Sequence, residues 1–103
     1  MVDVEEVHKE LRRAVDTGKV EFGSKKVLES ASHGKTQAIV CAGNLPENVL
    51  SKIKRSASLS NIPLFVSDKN GLELGQVCGK PFNVGSASIL DSGRSKILEA
   101  LKA

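Results

Sequence analysis

The order of segments in this chain predicts an α/β fold, with helices packed on both faces of one small sheet. Three observations carry that expectation. Val4, Val7, Leu11, Ala14 and Val15 recur at helical spacing, and similar stripes follow later in the chain. Between them lie short apolar runs such as Ala38-Ile39-Val40-Cys41-Ala42, which do not alternate with polar residues. Strands read this way when both of their faces are covered. The two patterns then follow one another as α-β-α-β-α-β-α-β-α, the signature of a layered α/β protein. A chain of 103 residues is expected to form a single domain, 1–103.

The first helix begins at Asp3, with Glu6 three places on forming a capping box. Thr17-Gly18 ends it, the glycine supplying a left-handed cap. Val20 to Phe22 is a short strand. Ser24 is the expected N-cap of a second helix with the stripe Val27, Leu28 and Ala31, closed at His33-Gly34. After the buried strand at 38–42, Gly43-Asn44-Leu45-Pro46 turns the chain. Pro46 fits the first turn of a third helix, whose inner stripe is Val49, Leu50, Ile53 and Ala57. Asn61-Ile62-Pro63 closes that helix, and Leu64-Phe65-Val66 is a further buried strand. Asp68-Lys69-Asn70-Gly71 is turn chemistry. Asn70 and Glu73 suggest a second capping box, opening a short helix that runs through Cys78 and stops at Gly79. Pro81 to Gly85 is irregular and leads into a strand over roughly 84–90. Asp91 or Ser92 caps a last helix with Ile97, Leu98 and Leu101 inward.

Composition narrows the function classes. Hydrophobic residues make up 40% and charged residues 26%, ordinary for a soluble globular chain. Fifteen basic residues against twelve acidic ones give a net charge of +3, which favours an anionic partner without requiring one. Cys41 and Cys78 sit among apolar neighbours at a separation that fits no metal motif, so two buried, reduced thiols are expected. No apolar run approaches the roughly 20 residues of a membrane span, and no signal-peptide pattern is present. A cytoplasmic location without a membrane partner is the expectation. Catalysis is not expected either. His8 lies between charged residues and His33 in a helix-ending turn, where structural roles suffice. No Gly-x-Ser-x-Gly elbow, Gly-x-Gly-x-x-Gly fingerprint or complete phosphate loop occurs. No cofactor and no metal are called for.

Three stretches have the character of a binding surface. In Phe22-Gly23-Ser24-Lys25-Lys26 a strand meets a glycine, then a serine and two lysines at a helix start. A helix start offers unpaired N–H groups and partial positive charge. Lysines there oppose the helix dipole, so an anion in front of them would make sense of the placement. A solvated first turn is the plain alternative. Asn44 follows a strand and carries both a donor and an acceptor, which suits a base edge or phosphate as well as a simple turn. Phe82, in Lys80-Pro81-Phe82-Asn83-Val84-Gly85, either packs on an unstacked base or folds back onto the core. Phe22 and Phe65 read as core. Lys52, Lys54 and Arg55 form the outer face of the third helix, either solvated or facing an acidic partner.

The run Leu11-Arg12-Arg13-Ala14-Val15-Asp16-Thr17-Gly18-Lys19-Val20, followed by Phe22-Gly23-Ser24-Lys25, resembles the archaeal and eukaryotic large-subunit ribosomal protein family "L thirty e". Gly43-Asn44-Leu45-Pro46, Leu59-Ser60-Asn61-Ile62-Pro63, Glu73-Leu74-Gly75, Gly79-Lys80-Pro81-Phe82 and Asp91-Ser92-Gly93-Arg94-Ser95 extend the likeness over essentially the whole chain. The resemblance implies a three-layer α/β/α sandwich around a small four-stranded mixed sheet. It also implies a structural role, binding ribosomal RNA at a kink-turn, a sharply bent internal loop with tandem sheared G·A pairs. By motif position, Gly23, Ser24, Lys25 and Lys26 would face that RNA, and Asn44 would contact a guanine or nearby backbone. Phe82, Val84 and Gly85 would form an apolar loop over a flipped-out nucleotide. Other ribosomal proteins would be neighbours, with a monomer outside the ribosome. Superfamily relatives of RNA-modifying particles usually carry Asn-Glu where this chain has Ser24-Lys25-Lys26, which favours the ribosomal branch. A component of a non-ribosomal particle, either kink-turn binder or protein scaffold, stands as the alternative. Ser92 replaces a proline common in the family, a departure of small consequence.

Overall fold

The computed structural model describes residues 3–102. The elements run α1 (Val4–Thr17), β1 (Lys19–Phe22), α2 (Ser24–Ser32), β2 (Ala38–Cys41), α3 (Glu47–Leu59), β3 (Leu64–Val66), α4 (Gly71–Val77), β4 (Ser86–Asp91) and α5 (Ile97–Lys102). The sheet order is β1-β4-β2-β3. β2 and β3 are parallel, and β4 runs antiparallel to both β1 and β2, so the sheet is mixed as expected.

Side-chain alternation in β2 explains the two covered faces. Ala38 and Val40 join a core with Val7, Leu11 and Ala14 of α1, Leu74 of α4 and Ile97 of α5. Ile39 and Cys41 point the other way, into Val27 and Ala31 of α2 and Leu50, Ile53 and Ala57 of α3. The unbroken apolar run at 38–42 is therefore two half-cores read in one line. Cys41 and Cys78 are buried free thiols in the two different cores. Burial pushes both up to about 11.

Several local expectations change. Gly18 is not left-handed (φ −122°); glycine is required because the Asp91 carbonyl and Gly93 amide lie where a Cβ would stand. At α1 the Asp3 carboxylate accepts the Glu5 and Glu6 amides, and the capping box's return arm from Glu6 is not formed among the described residues. Ser24 is the first residue of α2 rather than its cap. Gly23 holds the cap position, and the Ser24 hydroxyl lies 3.3 Å from that of Ser86. Pro46 caps α3 from just outside the helix. β3 is an edge strand, only half-buried, because no strand covers its far side. β4 starts at Ser86, two residues later than expected. α5 begins only at Ile97; its first amides are held by Ser95 Oγ and by the Glu10 carboxylate, not by Asp91 or Ser92. The Asn70–Glu73 capping box of α4 forms in full.

Candidate nucleic-acid interface

Since β4 is antiparallel to β1 and β2, and β2 is parallel to β3, the C-terminal ends of β1, β2 and β3 share one edge of the sheet with the N-terminal end of β4. The three candidate stretches adjoin those ends. Backbone bonds lock them side by side: Gly23 N–H donates to the Ser86 carbonyl (3.0 Å) and Ala42 N–H to the Gly85 carbonyl (2.8 Å). Stretches distant in sequence thus form one continuous surface.

Three helices, α2, α3 and α4, start on this edge and aim their positive ends at it. They differ in what answers that charge. α3 has Glu47 in its first turn, and α4 has Glu73 completing its capping box. α2 has no acid in its first turn and no side-chain cap, but it has Lys25 and Lys26, both exposed. α1 also carries first-turn acids, Glu5 and Glu6, and α5 carries Glu99, so α2 is the exception among the described helices. Gly23 sits in front of it at φ +103° and ψ 139°, a conformation open essentially only to glycine, with open space where a Cβ would point. The amides of Ser24, Lys25 and Lys26 are the helix's orphan donors. This is the geometry of an anion site, with the backbone itself able to approach closely.

Asn44 is exposed, and its Oδ1 accepts the Gly71 amide at 3.0 Å. That bond fixes which end of the side chain is which and leaves the Nδ2 amino group as the donor for a ligand. Phe82 is 48% exposed and meets the edge of Phe22, with ring centroids 6.0 Å apart. Phe22 is half-buried against the core, and Lys80 Nζ lies 5.6 Å from its centroid. Phe82 is therefore seated on Phe22 and still about half open to solvent. Val84 is placed differently: it is 1% exposed and belongs to the core, so it anchors the loop instead of presenting a contact. Gly85 is half-buried with Leu45 against it, which joins the Phe82 loop to the Asn44 turn.

His8, between Val7 and Lys9 in sequence, is buried. Its Nε2 lies 2.6 Å from Ser67 Oγ, and that oxygen also accepts the Lys69 amide. Burial, then the nearby Lys69 charge, lowers its pKa below the usual imidazole value. His8 thus props the loop that leads to Gly71. His33 bonds the Glu29 carbonyl at the end of α2, a structural role. No single local signal in the sequence points to Ser67, Gly71 or Ser86, whose parts depend on strand order. An open cleft of about 390 Å³ between β1 and the end of α2 shares only Lys26 with the assembled surface. Among the described residues no group of His, Cys, Asp and Glu is placed to hold a metal, and no helix is long and apolar enough to cross a membrane.

Fold and edge together define a class: a small α/β/α protein that displays backbone donors, lysines and an outward aromatic along one rim of its sheet. The chain belongs to the Ribosomal protein L7Ae/L30e/S12e/Gadd45 family, whose model matches residues 5–99. It is 45% identical over 97 residues to the large ribosomal subunit protein eL30 of Methanocaldococcus jannaschii, covering 94% of this chain and 88% of the relative. It is 45% identical to eL30 of Methanothermobacter thermautotrophicus (91% and 96% covered) and 36% identical to that of Sulfurisphaera tokodaii (99% and 96% covered).

Proposed function

We propose that this chain is a structural constituent of the large ribosomal subunit and grips ribosomal RNA at a kink-turn-like bent internal loop. The observation that carries the reading is the start of α2: the described helix with two lysines and no acid in its first turn, opened to the outside by Gly23. The relatives named eL30 support the ribosomal setting. Lys25 and Lys26 supply salt-sensitive attraction to phosphates, and the α2 amides receive a phosphate directly. The Asn44 amino group donates to a base edge or backbone, and Phe82 packs on an unstacked nucleotide. Leu45 and Gly85 seat the Phe82 loop, with Val84 pinning it from below. The protein holds the bend by mass action and performs no chemistry. Its partners are ribosomal RNA and neighbouring ribosomal proteins in the cytoplasm, and outside the particle it is a monomer needing no cofactor.

The experiment is a binding titration of a bent-loop RNA oligonucleotide with wild type and with the double variant Lys25→Ala, Lys26→Ala. Loss of two phosphate contacts should flatten the salt dependence by about one to two in log–log slope and weaken binding. An unchanged affinity together with an unchanged slope removes this site from the reading.

A further inference from the structure

The charge of this protein is unevenly divided between its two helical layers. Residues 24–61, which supply α2 and α3, contain six Lys and Arg against two Glu. Residues 3–17, which supply α1, contain three Lys and Arg against five Asp and Glu. The ion pairs recorded among the described residues, Arg12–Asp16 and Arg13–Glu10, both lie on α1. On α3, by contrast, Lys52, Lys54 and Arg55 are exposed and take part in neither pair. Lys52 and Arg55 stand one turn apart on the outer surface, flanked by exposed Ser51 and Ser58.

This face is separate from the rim. The rim lies at the N-terminal end of α3, whereas Lys52 to Ser58 extend away from it down the helix, by about 8 to 17 Å at 1.5 Å per residue. This face shares no residue with the rim stretches at Gly23–Lys26, Asn44 and Phe82–Gly85.

We propose that the outer face of α3 is a second RNA-binding surface, made for the backbone of a straight A-form duplex that passes beside the bent loop. Charge complementarity selects a polyanion. Residues 24–61 contain no Phe, Tyr or Trp, and their one histidine, His33, bonds the Glu29 carbonyl at the end of α2, so the α3 face has no platform for stacking unpaired bases and single-stranded RNA is a poor fit. Cations and hydroxyls along a straight helix suit phosphates and 2′-hydroxyls instead, which is how duplex RNA is read. The face also lacks the apolar centre of a protein–protein interface: its large exposed hydrophobic residue is Leu59, alone at the helix end. The chain then acts as a clamp between two RNA elements, one recognised by shape at the rim and one held by charge at the flank.

The test uses the full chain saturated with a short-stemmed bent-loop RNA and titrated with a fluorescent RNA duplex of about 20 base pairs. The preformed complex should bind the duplex. Lys52→Ala, Lys54→Ala and Arg55→Ala combined should weaken that binding about tenfold and flatten its salt slope by about two to three, leaving bent-loop affinity within about twofold. The residues are exposed, so an unchanged melting temperature shows the variant is folded. Duplex binding unaffected by the triple substitution overturns the proposal. So does a polyglutamate peptide that binds the face as tightly as the duplex at equal salt, which would assign it to an acidic protein. The Lys25→Ala, Lys26→Ala variant separates the two readings. If it leaves bent-loop binding intact, the rim assignment fails while the flank assignment stands on its own titration.

Discussion

The side-chain oxygen of Asn44 accepts the backbone amide of Gly71 at 3.0 Å, tying the turn after β2 to the first residue of α4. The oxygen of this asparagine braces the rim from within, and its amino group is the donor that the proposed reading assigns to RNA. Substitutions can separate these. Asn44→Asp keeps the acceptor and removes the donor, so thermal stability should hold while bent-loop RNA affinity falls. Asn44→Ala removes both and leaves the Gly71 amide without its partner, costing about 1–2 kcal/mol of stability as well. Melting curves beside binding titrations distinguish the two outcomes.

Phe82 rests on Phe22 but remains half in solvent. Phe82→Ala should weaken RNA binding by about 1–3 kcal/mol, the usual range for a lost aromatic–base stack. The edge contact with Phe22 contributes about 0.5–1.5 kcal/mol to folding, so stability should fall by no more than that. A larger loss of stability with RNA affinity unchanged would make Phe82 a core residue.

Gly23→Ala places a side chain in open space but at a φ that only glycine adopts comfortably. The strain should cost about 1–3 kcal/mol in urea unfolding, and RNA affinity should drop because the α2 amides lose their aim.

Glu10 is buried and accepts the Lys96 amide at 2.7 Å while pairing with Arg13 at 3.2 Å. Glu10→Ala should destabilise the chain by about 2–3 kcal/mol, since a charge-assisted bond at the start of α5 is lost. Glu10→Gln, which retains an oxygen acceptor, should recover part of this in denaturant titrations.

Stability should depend on pH from two sides. His8 has a lowered pKa when folded, so below its unfolded value of 6.5 the unfolded chain binds more protons and stability falls as pH drops. Cys41 and Cys78 have raised values of about 11, so above 9 the unfolded chain loses protons that the folded one keeps, and stability falls as pH rises. Denaturation midpoints should form a plateau between these limits, and Cys41→Ser with Cys78→Ser should remove the alkaline decline.

Much of the fold was legible because periodicity is a local property. The stripes of α1 and α3 and the apolar run of β2 each announce their element without help from distant residues. The helix caps were less legible. Ser24 has the chemistry of a cap, but its hydroxyl faces Ser86, sixty-two positions away, and α5 takes its first amide contacts from Glu10. β3 reads like β2, yet it lies at the sheet edge, and nothing within three residues encodes a place in strand order. The rim was legible as three stretches, and the strand pairing shows them to be neighbours. Within the last stretch, Phe82 and Val84 look equally apolar in sequence; only the fold turns one outward and the other in.

β4 lies in the middle of the sheet although it is the last strand in the chain. During synthesis, therefore, β1 and β2 emerge with a gap between them, and the Gly23 and Ala42 amides have no carbonyls to meet until residues 85–86 arrive. A nascent chain that has made the α2 lysines and Asn44 still has no rim on which to hold them together. A fragment that stops before residue 85 should therefore leave the three stretches unjoined, however complete each of them is.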